Sequence, residues 1–223
     1  MPTPDTQGVI LEVASRLFAS RGYDAVSMRD VATEVGSTPA NLYYHFKDKE
    51  HLIRATLAHV FSQRTAALEE ILLSGHRPSD RLTIFVEWFG NLLFSDSVFA
   101  RLLLRELLDG DSARLKYLSE TVFERPFALI TRVVAGYSTP TDPVLFAVSV
   151  IGLVLGHFQL ASILPHLPGG HAEFADPATV SRHTLELLRR TLQAGPHEPH
   201  TPPAANRQAH PRLRTNAGKP SPT

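Results

Sequence analysis

Cysteine is absent from the 223 residues, which excludes disulfides, thiolate zinc sites and a cysteine nucleophile. Charge of one sign is lacking too. Twenty-two Lys and Arg balance 22 Asp and Glu, so the whole chain is neither a polycation nor an acidic tail protein. No Gly-x-Ser-x-Gly elbow, phosphate loop or dinucleotide fingerprint occurs, and the 11 histidines include no His-Glu-x-x-His pair. An enzyme, a metal site and a cofactor are therefore not expected; His166 and His171, in a Pro/Gly loop, would hold a metal only adventitiously. No basic-then-apolar start resembling a signal peptide is present, so a reducing cytoplasm is the expected compartment. No stretch alternates with the period of a strand, and no internal repeat appears.

What is present is 43% hydrophobic residues, enough for a substantial core built from helices. The first helix is predicted from about Asp5 to Ser20, with Val9, Ile10, Val13, Leu17 and Phe18 on one face and Gly22 ending it. Ser27 is an N-cap type residue ahead of a helix over Met28–Val35 whose Met28, Val31, Ala32 and Val35 share an apolar face. Gly36 follows where a left-handed backbone ends a helix. Ser37 or Thr38 then caps a helix starting at Pro39 and running to about His45, with Leu42 and Phe46 inward. Thr38, Pro39, Ala40, Asn41, Tyr43, Tyr44 and His45 remain outward.

Two helices joined by a short glycine turn, the second short and polar outside, fit the geometry that lays a recognition helix in a major groove. Each residue also has an ordinary structural role open to it. Tyr43 and Tyr44 can cover the face of a three-helix unit, His45 can complement a helix dipole, and Lys47 and Lys49 can be solvated charges. Residues 1 to 56 carry six basic groups (Arg16, Arg21, Arg29, Lys47, Lys49, Arg54) against seven acidic ones (Asp5, Glu12, Asp24, Asp30, Glu34, Asp48, Glu50). Nonspecific attraction to a polyanion should be modest, with binding carried by positioned contacts.

Further along, a long helix is predicted from Lys49 to about Leu73, a turn over Ser74–Ser79, and helices near 79–95, 97–109 and 112–135, the last kinked or broken at Pro126. Residues 144–164 are an apolar run long enough to cross a bilayer. Ser149, His157, Gln159 and Ser162 interrupt it and no basic cluster flanks it, so a helix buried by core on one side and a partner on the other is expected, without a membrane. Gly152 and Gly156 permit close helix approach. A last helix over Pro177–Gln193 presents Val180, Leu185, Leu187, Leu188 and Leu192. Beyond Ala194, seven prolines in 29 residues and few apolar groups predict a disordered tail.

The segment Gly22-Tyr23-Asp24-Ala25-Val26-Ser27 through Asn41-Leu42-Tyr43-Tyr44-His45-Phe46-Lys47-Asp48-Lys49-Glu50 resembles the N-terminal domain of TetR-family (TetR/AcrR-type) transcriptional regulators, over roughly residues 8 to 55. The resemblance implies an all-α fold: a three-helix helix-turn-helix head (residues 1–50), a helical ligand-binding and dimerisation body (51–194) and a disordered tail (195–223). It implies phosphate contacts from Ser27, Tyr44, His45 and Lys49. Thr38, Pro39, Ala40 and Tyr43 would lie at or beside base edges, with Asn41 on the same outward surface. Pro39 departs from the polar or glycine residue common there, which leaves apolar contact with a thymine methyl for Pro39 and Ala40.

It further implies a homodimer whose last two long helices pair in a four-helix bundle. The expected seam is drawn from Val148, Ile151, Gly152, Leu155, His157, Gln159, Thr184, Leu188 and Thr191. A ligand pocket in the body would draw on Phe85, Trp88, Phe89, Phe94, Phe99, Leu103, Tyr117, Phe123, Phe127 and His157. Glu87, Arg101, Arg105 and Glu106 are possible polar anchors, and the same aromatics also read as plain core. The partners so implied are palindromic operator DNA, a second copy of the chain and a small, mostly apolar effector. The function implied is ligand-responsive repression, with activation by the same fold, or a helical interaction protein or enzyme without DNA binding, as alternatives.

Overall fold

Ten α-helices carry the chain in a computed structural model that describes residues 6–73, 78–137 and 142–193. Of the turn expected over Ser74–Ser79, residues 74–77 lie outside the described residues and Pro78 and Ser79 already belong to a helix; the tail after residue 194 and the side chains of Thr191 and Leu192 also lie outside them. Helix α1 (Thr6–Arg21) buries Ile10, Leu11, Ala14, Leu17 and Phe18. Val9, expected on that face, is instead exposed, because the inward stripe runs through the residues one and two positions later. The helix stops at Gly22, whose φ of 85° lies in the region that favours glycine.

Helix α2 (Met28–Val35) begins at a reciprocal cap. The Asp30 amide donates to Ser27 Oγ at 3.2 Å, and the Ser27 amide and hydroxyl both donate to Asp30 Oδ2, at 2.7 and 2.6 Å. These donors hold the Asp30 carboxyl below its ordinary value. Helix α3 (Pro39–His45) and the 25-residue α4 (Lys49–Leu73) follow. Helix α4 spans roughly 37 Å at the helical rise. It packs first on α1, then on α5 (Pro78–Ser95), α7 (Ser112–Leu118) and α8 (Glu124–Ala135). One buried cluster runs from Ile10 to Leu188, so the expected boundary at residue 50 falls inside a helix shared by head and body.

Helix α6 (Ser97–Asp109) is capped by Asp96, which accepts from the Phe99 amide at 2.9 Å and from Arg64 Nε of α4 at 2.9 Å. One carboxylate thus closes a helix end and ties it to the long helix. The break expected at Pro126 appears as a π-turn over Ser119–Phe123, between α7 and α8. Pro126 has no N–H for the carbonyl four residues earlier, and a widened turn ahead of it relieves that loss.

Helix α9 (Pro143–Leu160) is shorter than its apolar run. Pro165, Pro168 and the Gly169-Gly170 pair replace further helix with two 3₁₀ turns, Leu164–His166 and Ala172–Ala175. Helix α10 (Pro177–Gln193) returns along α5. Gly90 of α5 lets it approach closely, since a β-carbon there would sit 2.9 Å from Ser181 Oγ.

Two stability outcomes follow. Phe61, fully buried, meets the rings of Phe99 and Phe123 at 5.4 Å each, so Phe61→Ala should lower the unfolding free energy in urea by about 3–5 kcal/mol. Ser27→Ala should cost about 1 kcal/mol. Because the folded Asp30 carboxyl is depressed, its contribution is present above its unfolded value of 3.8 and fades as pH falls through the folded one. The gap between wild type and Ser27→Ala should therefore narrow in acid titrations of stability.

Candidate DNA interface

Helix α3 is held by its ends and its inner side. Thr38, in extended backbone, accepts from the Asn41 amide at 3.3 Å, and Pro39 takes the first helical position, where a missing N–H costs nothing. Before it, Gly36 at φ 70° turns the chain, and the Ser37 amide donates back to the Ala32 carbonyl at 2.8 Å. Leu42 and Phe46 are fully buried. The opposite face has nowhere to go but outward. Thr38, Pro39 and Ala40 are exposed, Tyr43 is 53% exposed and Tyr44 is 84% exposed.

The other expected contacts are partly engaged. Asn41 is half-buried and donates from Nδ2 to Ser37 Oγ at 2.9 Å. His45 is half-buried, with Tyr44 edge-on at 5.2 Å. Lys49 Nζ leans on the Asp24 carbonyl at 3.4 Å, across the turn between α1 and α2. Ser27 is exposed, but its hydroxyl and amide serve Asp30, so an incoming phosphate would compete with that carboxylate. Asp48 caps α4 by accepting from the His51 amide at 2.7 Å, and His51 Nδ1 accepts from the Lys47 amide at 3.2 Å. The loop that presents Lys47 and Lys49 is thereby fixed. Arg29 and Lys47 are exposed beside this surface; Arg29 could have been read from its outward place on α2.

The body corrects several expectations. Thr184 and Leu188 are 0% and 4% exposed, because the face of α10 that carries Val180, Ser181, Thr184, Leu185 and Leu188 packs inside the subunit, where α10 lies on α5. They cannot meet a partner. The remaining seam residues stand on α9: Val148, Gly152 and Gln159 are exposed, while Ile151, Leu155 and His157 are half-buried. Phe85, Phe89 and Phe99 are buried: Phe85 stacks on Phe89 at 5.8 Å and Phe99 meets Phe61 at 5.4 Å. Trp88, Phe94, Leu103, Tyr117, Phe123 and Phe127 are half-buried, and Phe94 meets Phe158 of α9 at 5.0 Å.

A concavity of about 400 Å³ between the end of α9 and α10 takes in His157 together with Leu164, Phe174, Val180, His183 and Glu186. Glu87 and Arg101 point to solvent. Arg105 and Glu106 belong elsewhere, at the contact of α6 with the head, along with Tyr23, Glu50 and Arg114. Those three had no signal in the sequence, since the groups they meet are distant in the chain: Glu50 and Arg114 are 64 positions apart, and Tyr23 is farther still from Arg114.

Residues 10–56 match the family model described as bacterial regulatory proteins, tetR family. A 74-residue stretch is 32% identical to the HTH-type transcriptional repressor KstR2 of Mycolicibacterium smegmatis, covering 33% of this chain and 36% of that protein. Over 135 residues the chain is 28% identical to the HTH-type transcriptional activator FasR of the same species, covering 59% and 62%. The chain thus spans between about a third and three-fifths of the length of these relatives. Among solved structures, the regulator FadR from Bacillus subtilis in complex with stearoyl-CoA superposes with a TM-score of 0.69 at 17% identity, covering 82% of this chain and 97% of that one. AibR in complex with isovaleryl coenzyme A and operator DNA gives 0.63 at 20% identity, covering 82% and 97%. Residues 10–56 thus match the N-terminal domain of the tetR family of bacterial regulatory proteins, and the described chain shares the all-α fold of these solved structures.

Proposed function

We propose that the protein is a transcriptional regulator that binds a palindromic operator as a homodimer, most simply as a repressor released by a small, mostly apolar effector. The observation that carries this reading is the outward face of α3: Thr38, Pro39, Ala40, Tyr43 and Tyr44 together on a helix fixed by Leu42, Phe46 and the Thr38 cap. A short helix so mounted enters a major groove, with bases read from its exposed side and phosphates from its flanks. The head's lack of a basic excess means that affinity rests on these contacts and on two half-sites, about one helical turn apart, bound at once.

Dimerisation is supported by α9. Only Phe146, Ala147, Val150 and Val154 of its 18 residues are buried in the subunit, and Leu145 and Val148 are 62% and 52% exposed. Its length and composition would also suit a membrane. Ser149 and Gln159 on its open surface, with Gly152 leaving room for a close neighbour, favour a second α9 instead. Leu187 extends the exposed apolar surface on α10. We propose a matching division of labour along the chain: head for DNA, and body from α4 onward for effector and pairing. Working on the chromosome, such a protein resides in the cytoplasm and performs no chemistry.

The effector acts only through its difference in affinity for the DNA-fitting and DNA-misfitting shapes. Relatives carry the names of both a repressor and an activator. Repression is the simpler assignment, because occupancy of an operator blocks polymerase without a further contact.

Fluorescence anisotropy with DNA from upstream of the protein's own gene tests the reading. Lys49→Ala and Tyr44→Ala should weaken binding to every sequence alike, and Lys49→Ala should lower the salt slope by about one. Changes at Ala40 or Tyr43 should alter which base is preferred, at about 1–3 kcal/mol. Equal, sequence-independent losses at all four positions would contradict the assignment. For the seam, Val148→Asp should convert the dimer to monomer in sedimentation velocity at micromolar concentration, and an unchanged sedimentation coefficient would exclude α9 from the interface.

A further inference from the structure

The head meets α6 and α7 at a cluster of charged groups. Tyr23, in the turn after α1, has its ring in contact with two guanidinium groups of the body, Arg105 of α6 at 5.7 Å and Arg114 of α7 at 5.0 Å. Arg114 is itself almost fully buried, and its Nε donates to Glu106 Oε2 at 3.1 Å. Its Nη1 lies 3.5 Å from Glu50 Oε2 in the first turn of α4 and 3.6 Å from Asp111 Oδ2. Glu50 in turn takes Arg54 at 3.0 Å. A single side chain therefore touches the head at two places, the α1–α2 turn and the start of α4, next to Lys49.

The contact is tight but unsaturated. Gly22 has no β-carbon, and one added there would sit 3.0 Å from Arg105 Nη1. Glu106 is 1% exposed, and its Oε1, the Tyr23 hydroxyl and Arg105 Nε are buried without a hydrogen-bond partner. Burial, and Glu106 next, push the Tyr23 phenol upward, so it stays a neutral donor. A buried carboxylate that loses its arginine is left uncompensated, which makes this pairing strict in geometry.

We propose that Arg114, held by Glu106 and laid against Tyr23, is a positioning residue that fixes the angle of the reading head to the body and so sets the half-site spacing the dimer accepts. This rests on the reading of the chain as a dimeric operator binder. The seam on α9 sets how far apart the two bodies stand, and the joint sets how each α3 is aimed from its body. Loosening it frees the heads to follow different spacings at a cost in affinity for the best one, without altering any residue at the DNA.

The experiment compares Arg114→Met, the double change Arg114→Met with Glu106→Gln, which removes the uncompensated carboxylate, and Leu102→Ala, a core change in α6 that serves as a stability control. Binding is measured on palindromes whose spacer is varied by one and two base pairs. In parallel, the cysteine-free chain allows dye labels at Thr33→Cys on α2 and Ala128→Cys on α8, diluted into unlabelled protein so that single-molecule transfer reports head-to-body distance within one chain. The double variant should bind the preferred spacing at least tenfold more weakly, discriminate spacings at least threefold less and show a broadened distance distribution. Leu102→Ala should lose stability but keep wild-type spacing preference and width. Wild-type spacing preference and width in the double variant, or equal broadening in Leu102→Ala, would overturn the proposal. If wild type itself prefers no palindrome, the operator reading fails, and the distance widths alone then decide whether Arg114 fixes the head.

Discussion

A seven-residue helix has no stability of its own in water, because the cost of nucleating it exceeds what so few turns return. Helix α3 exists because Leu42 and Phe46 are fully buried on the α1–α2 core, and because Thr38 and Pro39 settle its first turn. The same anchoring decides which side chains face out. Any residue at 38, 39, 40, 43 or 44 is displayed by the burial of 42 and 46. Recognition is therefore free to vary in sequence while its scaffold is held by apolar packing, with the Ser27–Asp30 cap and the Gly36 turn supplying the angle between the two helices.

Around this unit the chain distributes its charges by position rather than by amount. The head has no basic excess, and several of its ionic groups are spent on structure: Glu50 on Arg54 and Arg114, Asp48 on the start of α4, Asp30 on the start of α2. What remains around α3 is a small set of hydroxyl, aromatic and basic groups at fixed places. Asp96 plays the corresponding part in the body, closing α6 while holding Arg64 of α4. The long helix α4 is thereby tied to the body at two levels, at Glu50 by Arg114 of α7 and at Arg64 by Asp96.

The helices were legible in the sequence wherever a local signal marks an end. Ser27, Gly36 and Pro39 gave boundaries that the structure places at the same residues or one away, and the periodicity of Leu42 and Phe46 gave the inward face of α3. What was not legible depends on partners distant in the chain. The inner face of α10 is chosen by where it lies on α5 and by the room Gly90 leaves for Ser181, so Thr184 and Leu188 turned inward against expectation. Pro126 announced a break but not its form, a π-turn over Ser119–Phe123 ahead of the proline. Aromatic spacing alone does not tell core from cavity wall, and Phe85, Phe89 and Phe99 are buried among other rings. The meeting of Tyr23, Glu50, Glu106 and Arg114 has no local pattern at all.

The central claim is that two such heads, held by one pairing of bodies, read a symmetric DNA site through α3. The most direct measurement is an unbiased selection of binding sequences from a random duplex library by the full-length protein at low ionic strength. Enrichment of inverted repeats with half-sites about one helical turn apart is the expected result. Recovery of no symmetric sequence, or of isolated half-sites bound equally well alone, would contradict it.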